Sequence, residues 1–211
     1  GGRVPLGIAK HLEIATSRVR DIKTMDLAHA VGSSRVHYRE GLENLYLSRV
    51  AKVVNLEKIA EKDFGLLVDC RSFPVLEESL QKLEVVKGEV VQGKLREAVE
   101  ISKGKRMGAE LLEDGRVRLY DIDGKEISPS DLEIVLNWYL VRKGYRGMLF
   151  KTPTSSYIID RLAERYGLEV REIGTGMKGI DVKGGVVTAG QELRWNDGLG
   201  QALLACEAVA E

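Results

Sequence analysis

Phe64-Gly65-Leu66-Leu67-Val68-Asp69-Cys70 is the stretch that decides the fold. Apart from its aspartate it is a near-continuous apolar run of strand length, with no alternation of polar and apolar positions. A strand that faces water on one side alternates, whereas one covered on both faces does not. The run therefore predicts a central strand with helices packed above and below it, and the flanking sequence supplies those helices. Upstream, Asn55 is a natural N-cap for a short helix over Leu56–Glu61, and Glu40–Val53 places Leu42, Leu45, Tyr46 and Val50 at helical spacing. Further back, Ser34–Tyr38 reads as extended and Ile8–Arg20 as a helix with apolar positions at Ile8, Leu12, Ile14, Ala15 and Val19. Downstream, Pro74 opens a helix whose apolar face is Val75, Leu76, Leu80 and Leu83. Glu84–Val91 reads as a bent strand or strand pair, and Leu95–Ser102 as another helix.

The alternation continues in the second half. Ala109–Leu112 and Arg116–Asp121 flank Glu113-Asp114-Gly115 as a β-hairpin, with a second turn at Asp123-Gly124. Ser130 and Glu133 stand at capping-box spacing and predict a well-buried helix through about Arg142. Met148–Phe150 is a short strand. Ser155 or Ser156 then caps a helix carrying Ile158, Ile159, Leu162, Ala163 and Tyr166, which Gly167 ends. Leu168–Ile173 is the next strand and Gly198–Val209 the last helix. The expected class is α/β, in two small domains that each pack a mixed sheet with helices. The polar stretch Ser102–Arg106 places the boundary between residues 1–104 and 105–211.

Composition narrows the function. Lys plus Arg and Asp plus Glu are each 32 of 211 residues, so the formal net charge is zero. Nucleic-acid and polybasic membrane-surface proteins show a basic surplus, so no nucleic acid and no membrane is expected among the partners. With 44% apolar and 30% charged residues the chain has core material for a globular fold. No apolar run reaches the length of a membrane span and no signal-peptide pattern opens the chain, which predicts a cytoplasmic protein. Cys70 and Cys206 are too few for a disulfide framework and read as small buried hydrophobes. His11, His29 and His37 are scattered through the N-terminal part without partners at ligand spacing.

Gly174-Thr175-Gly176-Met177-Lys178-Gly179 matches the glycine pattern of dinucleotide-binding loops. That pattern works when its last glycine leads into a helix whose N-terminus receives a pyrophosphate. Here Gly184 and Gly185 break any such helix within two turns, so the stretch reads as a glycine-rich loop.

Five segments, in this order, resemble the middle two domains of the α-D-phosphohexomutases, the family of phosphoglucomutase and phosphomannomutase. They are FGLLVDC, GAELLEDGRVRLYDIDGKEISPSDL, MLFKTPTSSYIIDRLAERYG, GTGMKGI and AGQELRWNDGLGQALLACEAVAE. The resemblance implies a cleft enzyme that moves a phosphoryl group between a phosphoserine and the hydroxyls of a sugar phosphate, with Mg²⁺ held by three aspartates of one loop. Aligned on Asp121-x-Asp123-Gly124, those aspartate positions fall on Leu111, Glu113 and Gly115, with Arg116 in the place of the loop's arginine. The metal set is thus degenerate, and no metal or other cofactor is expected; Mg²⁺ returns only if the chain is part of an active mutase. The sugar loops map to Thr175-Gly176 and to Gln191-Glu192, where an amide stands for the family's hydroxyl-gripping acid and Glu192 is the neighbouring acid that could stand in. Lys151 falls where some members place a general acid/base lysine. The glycine-rich turn of the second domain is replaced by Asp69-Cys70-Arg71-Ser72-Phe73, and neither the phosphoserine loop nor the phosphate-binding domain has a counterpart.

The expectation is a degenerate phosphohexomutase-like protein, a non-catalytic binding or regulatory module. Its candidate partners are a protein (an active mutase or a second copy of the chain) or a sugar phosphate. The alternative is part of an active phosphoglucomutase or phosphomannomutase whose other domains are supplied elsewhere.

Overall fold

The computed structural model describes residues 6–20, 26, 28–29, 41–72, 80, 83, 85–86, 94–113, 115–144, 146–151, 153–172 and 197–211. The chain divides into two compact units, Gly1–Leu42 with Gly176–Asp181 and Glu43–Thr175 with Val182–Glu211. In the first unit the described helix is α1, Leu6–Ser17. Its last turn folds hydroxyls back onto the backbone, Thr16 Oγ1 donating to the Leu12 carbonyl at 2.8 Å and Ser17 Oγ to that of Ile14 at 2.8 Å. The expected extended stretch at Ser34–Tyr38, the helix from Pro74 and the glycine-rich loop at 174–179 lie outside the described residues.

The second unit begins with α2 (Leu42–Val50) and α3 (Leu56–Glu61), the latter capped as expected by Asn55, whose side chain accepts from the Lys58 N–H at 3.0 Å. Strand β1 (Gly65–Asp69) follows, buried at all five positions as its apolar run requires. Helix α4 (Leu95–Ile101) leads into β2 (Arg106–Leu111), which pairs in parallel with β1 from Gly65↔Arg106 to Asp69↔Glu110. On the other side of β1, Leu66 bridges in parallel to Val86. The hairpin completes the sheet: β3 (Val117–Tyr120) is antiparallel to β2, and β4 (Glu126–Ile127) antiparallel to β3, giving the order β1-β2-β3-β4. Residue 104, the boundary expected between two domains, lies between α4 and β2 inside this unit. The polar stretch there is the short connection of a β-helix-β crossover, which runs over the surface and needs no domain change to be polar.

The two faces of the sheet are covered differently. Leu66, Val68 and Cys70 of β1, with Met107, Ala109 and Leu111 of β2 and Leu119 of β3, join the main core. Leu67 points the other way and packs with Leu95 and Val99 of α4, beside Tyr120. Gly108 permits that approach, since a Cβ there would stand 2.8 Å from Val99 Cγ2 and 3.2 Å from Leu95 Cγ. The main-core face is closed by α5 (Pro129–Arg142) and α7 (Gly198–Ala210). Helix α7 is buried along most of its length, as a helix apolar on nearly all sides must be. Helix α5 starts two residues earlier than its Ser130–Glu133 spacing suggests. Ser128 is the cap, its Oγ accepting from the Asp131 N–H at 3.1 Å, and Pro129 follows it. Proline wins that position because its fixed φ suits the first helical turn and its missing N–H would go unused there.

A buried ion pair ties α5 to α7. Glu207 is 2% exposed, and Lys143 Nζ, just past α5, donates to its two oxygens at 2.8 and 2.9 Å and to the Val53 carbonyl at 2.7 Å. The backbone N–H of Asn55 gives Glu207 a further bond at 3.1 Å. Asn137, in contrast, is buried and only half satisfied: Nδ2 donates to the Glu133 carbonyl at 2.8 Å while Oδ1 has no partner. An orphaned buried acceptor costs about 1–3 kcal/mol. Asn137→Leu is therefore expected to stabilise the fold by about 1 kcal/mol, read as a rise in the urea midpoint at constant slope.

Beyond α5 a parallel β-α-β unit follows: β5 (Met148–Lys151), α6 (Ile158–Tyr166) and β6 (Glu169–Glu172), with β5 and β6 paired from Met148↔Glu169 to Lys151↔Glu172. Ser156 Oγ accepts from the Ile158 N–H at 3.2 Å at the start of α6, and Gly167 ends it in the left-handed conformation at φ 65°. Both cysteines are buried and unpaired, and burial pushes the Cys206 thiol up to about 12. Neither thiol is expected to react with a disulfide reagent at pH 8 until denaturant is added, when both should titrate together. Because the folded thiol holds its proton above the unfolded value, its contribution to stability is present at neutral pH and is lost as pH rises through that of the folded thiol. Among the described residues no helix is long and apolar enough to cross a membrane.

Candidate functional site

Strands β1 and β2 run in parallel, so their C-terminal ends open on one edge of the sheet, the edge where ligands sit in open α/β folds. Asp69 ends β1 there with 2% of its surface exposed. The chain turns immediately, and Arg71 folds back onto that carboxylate. Its N–H reaches Oδ1 at 3.2 Å, Nε reaches both oxygens at 2.9 Å, and Nη2 lies 2.8 Å from Oδ2. Beside Asp69 in register is Glu110 of β2, which accepts from Arg118 Nη1 of β3 at 2.6 Å, while Arg118 Nε stands 3.5 Å from Glu126 of β4. Hydrogen bonding to Asp69 and to Glu110, and then their charges, hold the two guanidinium pKa values above the ordinary one.

The same edge carries the β2–β3 hairpin. Leu112 N–H donates to the Arg116 carbonyl at 2.9 Å, and Gly115, at φ 83°, donates its N–H to Leu112 at 2.8 Å. The start of α7 docks on this turn: Gly198 N–H donates to the Gly115 carbonyl at 2.8 Å. Asp197 caps α7 by accepting from Gly200 N–H at 2.9 Å, and the same carboxylate oxygen accepts from the Tyr46 hydroxyl of α2. Burial first, then Asp197, pushes the Tyr46 phenol well above its ordinary range, so it stays a donor.

The residues singled out by the resemblance do not come together as a metal site. Leu111, at the first aspartate position, is 5% exposed and belongs to the core of the sheet. Glu113 is exposed on the turn, Gly115 has no side chain, and Arg116 is exposed; Asp114 lies outside the described residues. A hard divalent cation takes several carboxylate oxygens, and Leu111, Glu113 and Gly115 offer one carboxylate between them, so these positions do not fit Mg²⁺. Lys151 does end β5, but its Nζ is 2.9 Å from both oxygens of Asp160 and 3.7 Å from Glu172. The hydrogen bond to Asp160 leads in raising its pKa, against the direction that general-base work at neutral pH demands. Thr175, Gly176, Gln191 and Glu192 lie outside the described residues.

Sequence reasoning missed Arg71 as the partner of Asp69, although the two are only two residues apart in Asp69-Cys70-Arg71. It also missed Glu110–Arg118, which the hairpin register contains, since pairing Leu111 with Val117 sets Glu110 opposite Arg118. No local signal joins Tyr46 to Asp197, 151 residues away.

The arrangement defines an α/β fold with an ion-paired C-terminal edge. Among solved structures it is similar to one described as a "putative phosphomannomutase from Thermus Thermophilus", with a TM-score of 0.60 and 21% identity over 80% of this chain and 47% of that one. The chain thus spans about half the length of that protein. No protein-family model matches the sequence, and no curated protein does. At this identity the likeness is one of fold.

Proposed function

We propose that this chain is a phosphohexomutase-like protein that keeps the fold without the phosphoryl-transfer chemistry and works as a non-catalytic binding module. The observation that carries this reading is Leu111. An apolar side chain packed in the sheet core at the first metal-loop position cannot be turned into a ligand without opening that core. The ion pair of Lys151 with Asp160 supports it, because a lysine held charged at neutral pH is a poor base. Regulation of an active mutase, by docking on it or on a second copy of the chain, fits a module of this kind.

Isothermal titration with glucose, mannose and glucosamine phosphates, each with and without Mg²⁺ and paired with an assay for their isomerisation, tests the reading. The expected result is no isomerisation and no gain in affinity from the metal. Mg²⁺-dependent binding or turnover would overturn it in favour of the second reading, part of an active phosphoglucomutase or phosphomannomutase. That second reading draws on one observation, that the similar protein is about twice as long as the portion this chain spans.

A further inference from the structure

Arg71 stands at the ligand-binding edge of the sheet, and the way it is held leaves part of it available. Its Nε and Nη2 form a side-on fork with Asp69, which leaves the other edge of the guanidinium, Nη1 and the second N–H of Nη2, unengaged by that carboxylate. The side chain is 54% exposed while its partner is 3% exposed. A carboxylate buried so fully at a strand end costs free energy unless it is paired, and here the pairing fixes a guanidinium in one orientation. The neighbouring acid on β2, Glu110, is engaged by Arg118 and so does not stand bare beside it. A pre-set planar fork at a strand end is the arrangement that recognises a phosphate or carboxylate with little loss of side-chain freedom.

We infer that the C-terminal edge of β1 and β2 binds the phosphoryl group of a phosphorylated small molecule through the outward edge of Arg71, with Asp69 as its positioning residue. This deepens the binding-module reading and rests on it. The recognition is local: the two arginines and two acids balance in charge, so specificity comes from the fork and not from a basic field.

The test is titration of glucose 6-phosphate, inorganic phosphate and free glucose into the full chain and into Arg71→Ala and Arg71→Lys. Both phosphates are expected to bind the unaltered chain, and glucose not. Each variant should lose at least roughly tenfold in affinity, the lysine because it keeps the charge without the fork. Tighter binding of the sugar phosphate than of inorganic phosphate would mark a phosphate ester as the ligand, and equal binding the bare anion. Thermal melts run in parallel, and Arg71→Lys, which can still pair with Asp69, keeps the test readable if the alanine variant fails to fold. Lower melting temperatures with unchanged phosphate affinity in the variants would show Arg71 to be only the cover of a buried acid and would overturn the inference. So would a chain that binds neither phosphate, a result that leaves the non-catalytic module standing as a protein-binding one. Isomerase turnover would sink that module reading while the Arg71 comparison remained interpretable.

Discussion

Replacing Lys143 with methionine is expected to destabilise the second unit by about 3–5 kcal/mol, the largest effect of any single side chain described above. The reason is Glu207. Its carboxylate is 2% exposed in a helix that is otherwise core, and Lys143 Nζ contacts both of its oxygens. Methionine fills the same volume and cannot donate, so the charge stays buried without this cation, and the Asn55 N–H cannot make up the difference. The Val53 carbonyl loses its partner as well. Removing both charges in Lys143→Met with Glu207→Leu should recover most of the loss, because a buried pair is costly to break and close to neutral to replace by apolar groups. Urea denaturation of the two single variants and the double one measures this directly. Simple additivity of the single effects would mean the pair does not interact as described.

Gly198→Ala is expected to cost roughly 3 kcal/mol or more, for a reason of shape instead of charge. A Cβ at Gly198 would lie 2.7 Å from the Arg116 carbonyl carbon and 2.8 Å from the Gly115 oxygen. Both are backbone atoms of a tight hairpin turn, which cannot swing aside as a side chain can. The helix start must withdraw, and with it goes the Gly198 N–H bond to Gly115. The cap suffers too, since Asp197 holds both Gly200 N–H and the Tyr46 hydroxyl at that point. Hydrogen exchange should show this locally, with protection falling at the start of α7 and in the β2–β3 turn. A loss confined to global stability, with protection there unchanged, would contradict the docking account.

Much of the fold was legible because its signals are local. The uninterrupted apolar run from Phe64 predicted a strand covered on both faces, and β1 is buried throughout. Asn55 and Gly167 predicted a helix start and a helix end, and both stand where expected. The start of α5 was misplaced for an equally local reason, since Ser128 and Ser130 are both competent caps and only Pro129 between them distinguishes the two. The domain boundary was misread because a polar connection looks the same whether it joins two domains or a helix to the next strand of one sheet.

The site was less legible. Leu111 could be placed in the sequence at a metal-loop position, but its burial comes from α5 and α7 closing over the sheet. The pairs that define the edge, Asp69 with Arg71 and Glu110 with Arg118, were written in short spacings whose meaning depends on which way the chain turns after β1 and on the register of the hairpin.

By itself, then, the sequence determined the α/β class, the order of most described elements and the resemblance that frames the function, because periodicity, capping and turn chemistry act over a few residues. The tertiary structure alone decided that residues 43–175 and 182–211 form one unit, that a helix from the end of the chain closes the sheet, and that Glu207 finds Lys143 and Asp197 finds Tyr46. Those contacts join residues 64 and 151 positions apart. Packing a sheet on both faces brings them together, and no local period encodes which distant partner a buried carboxylate will meet.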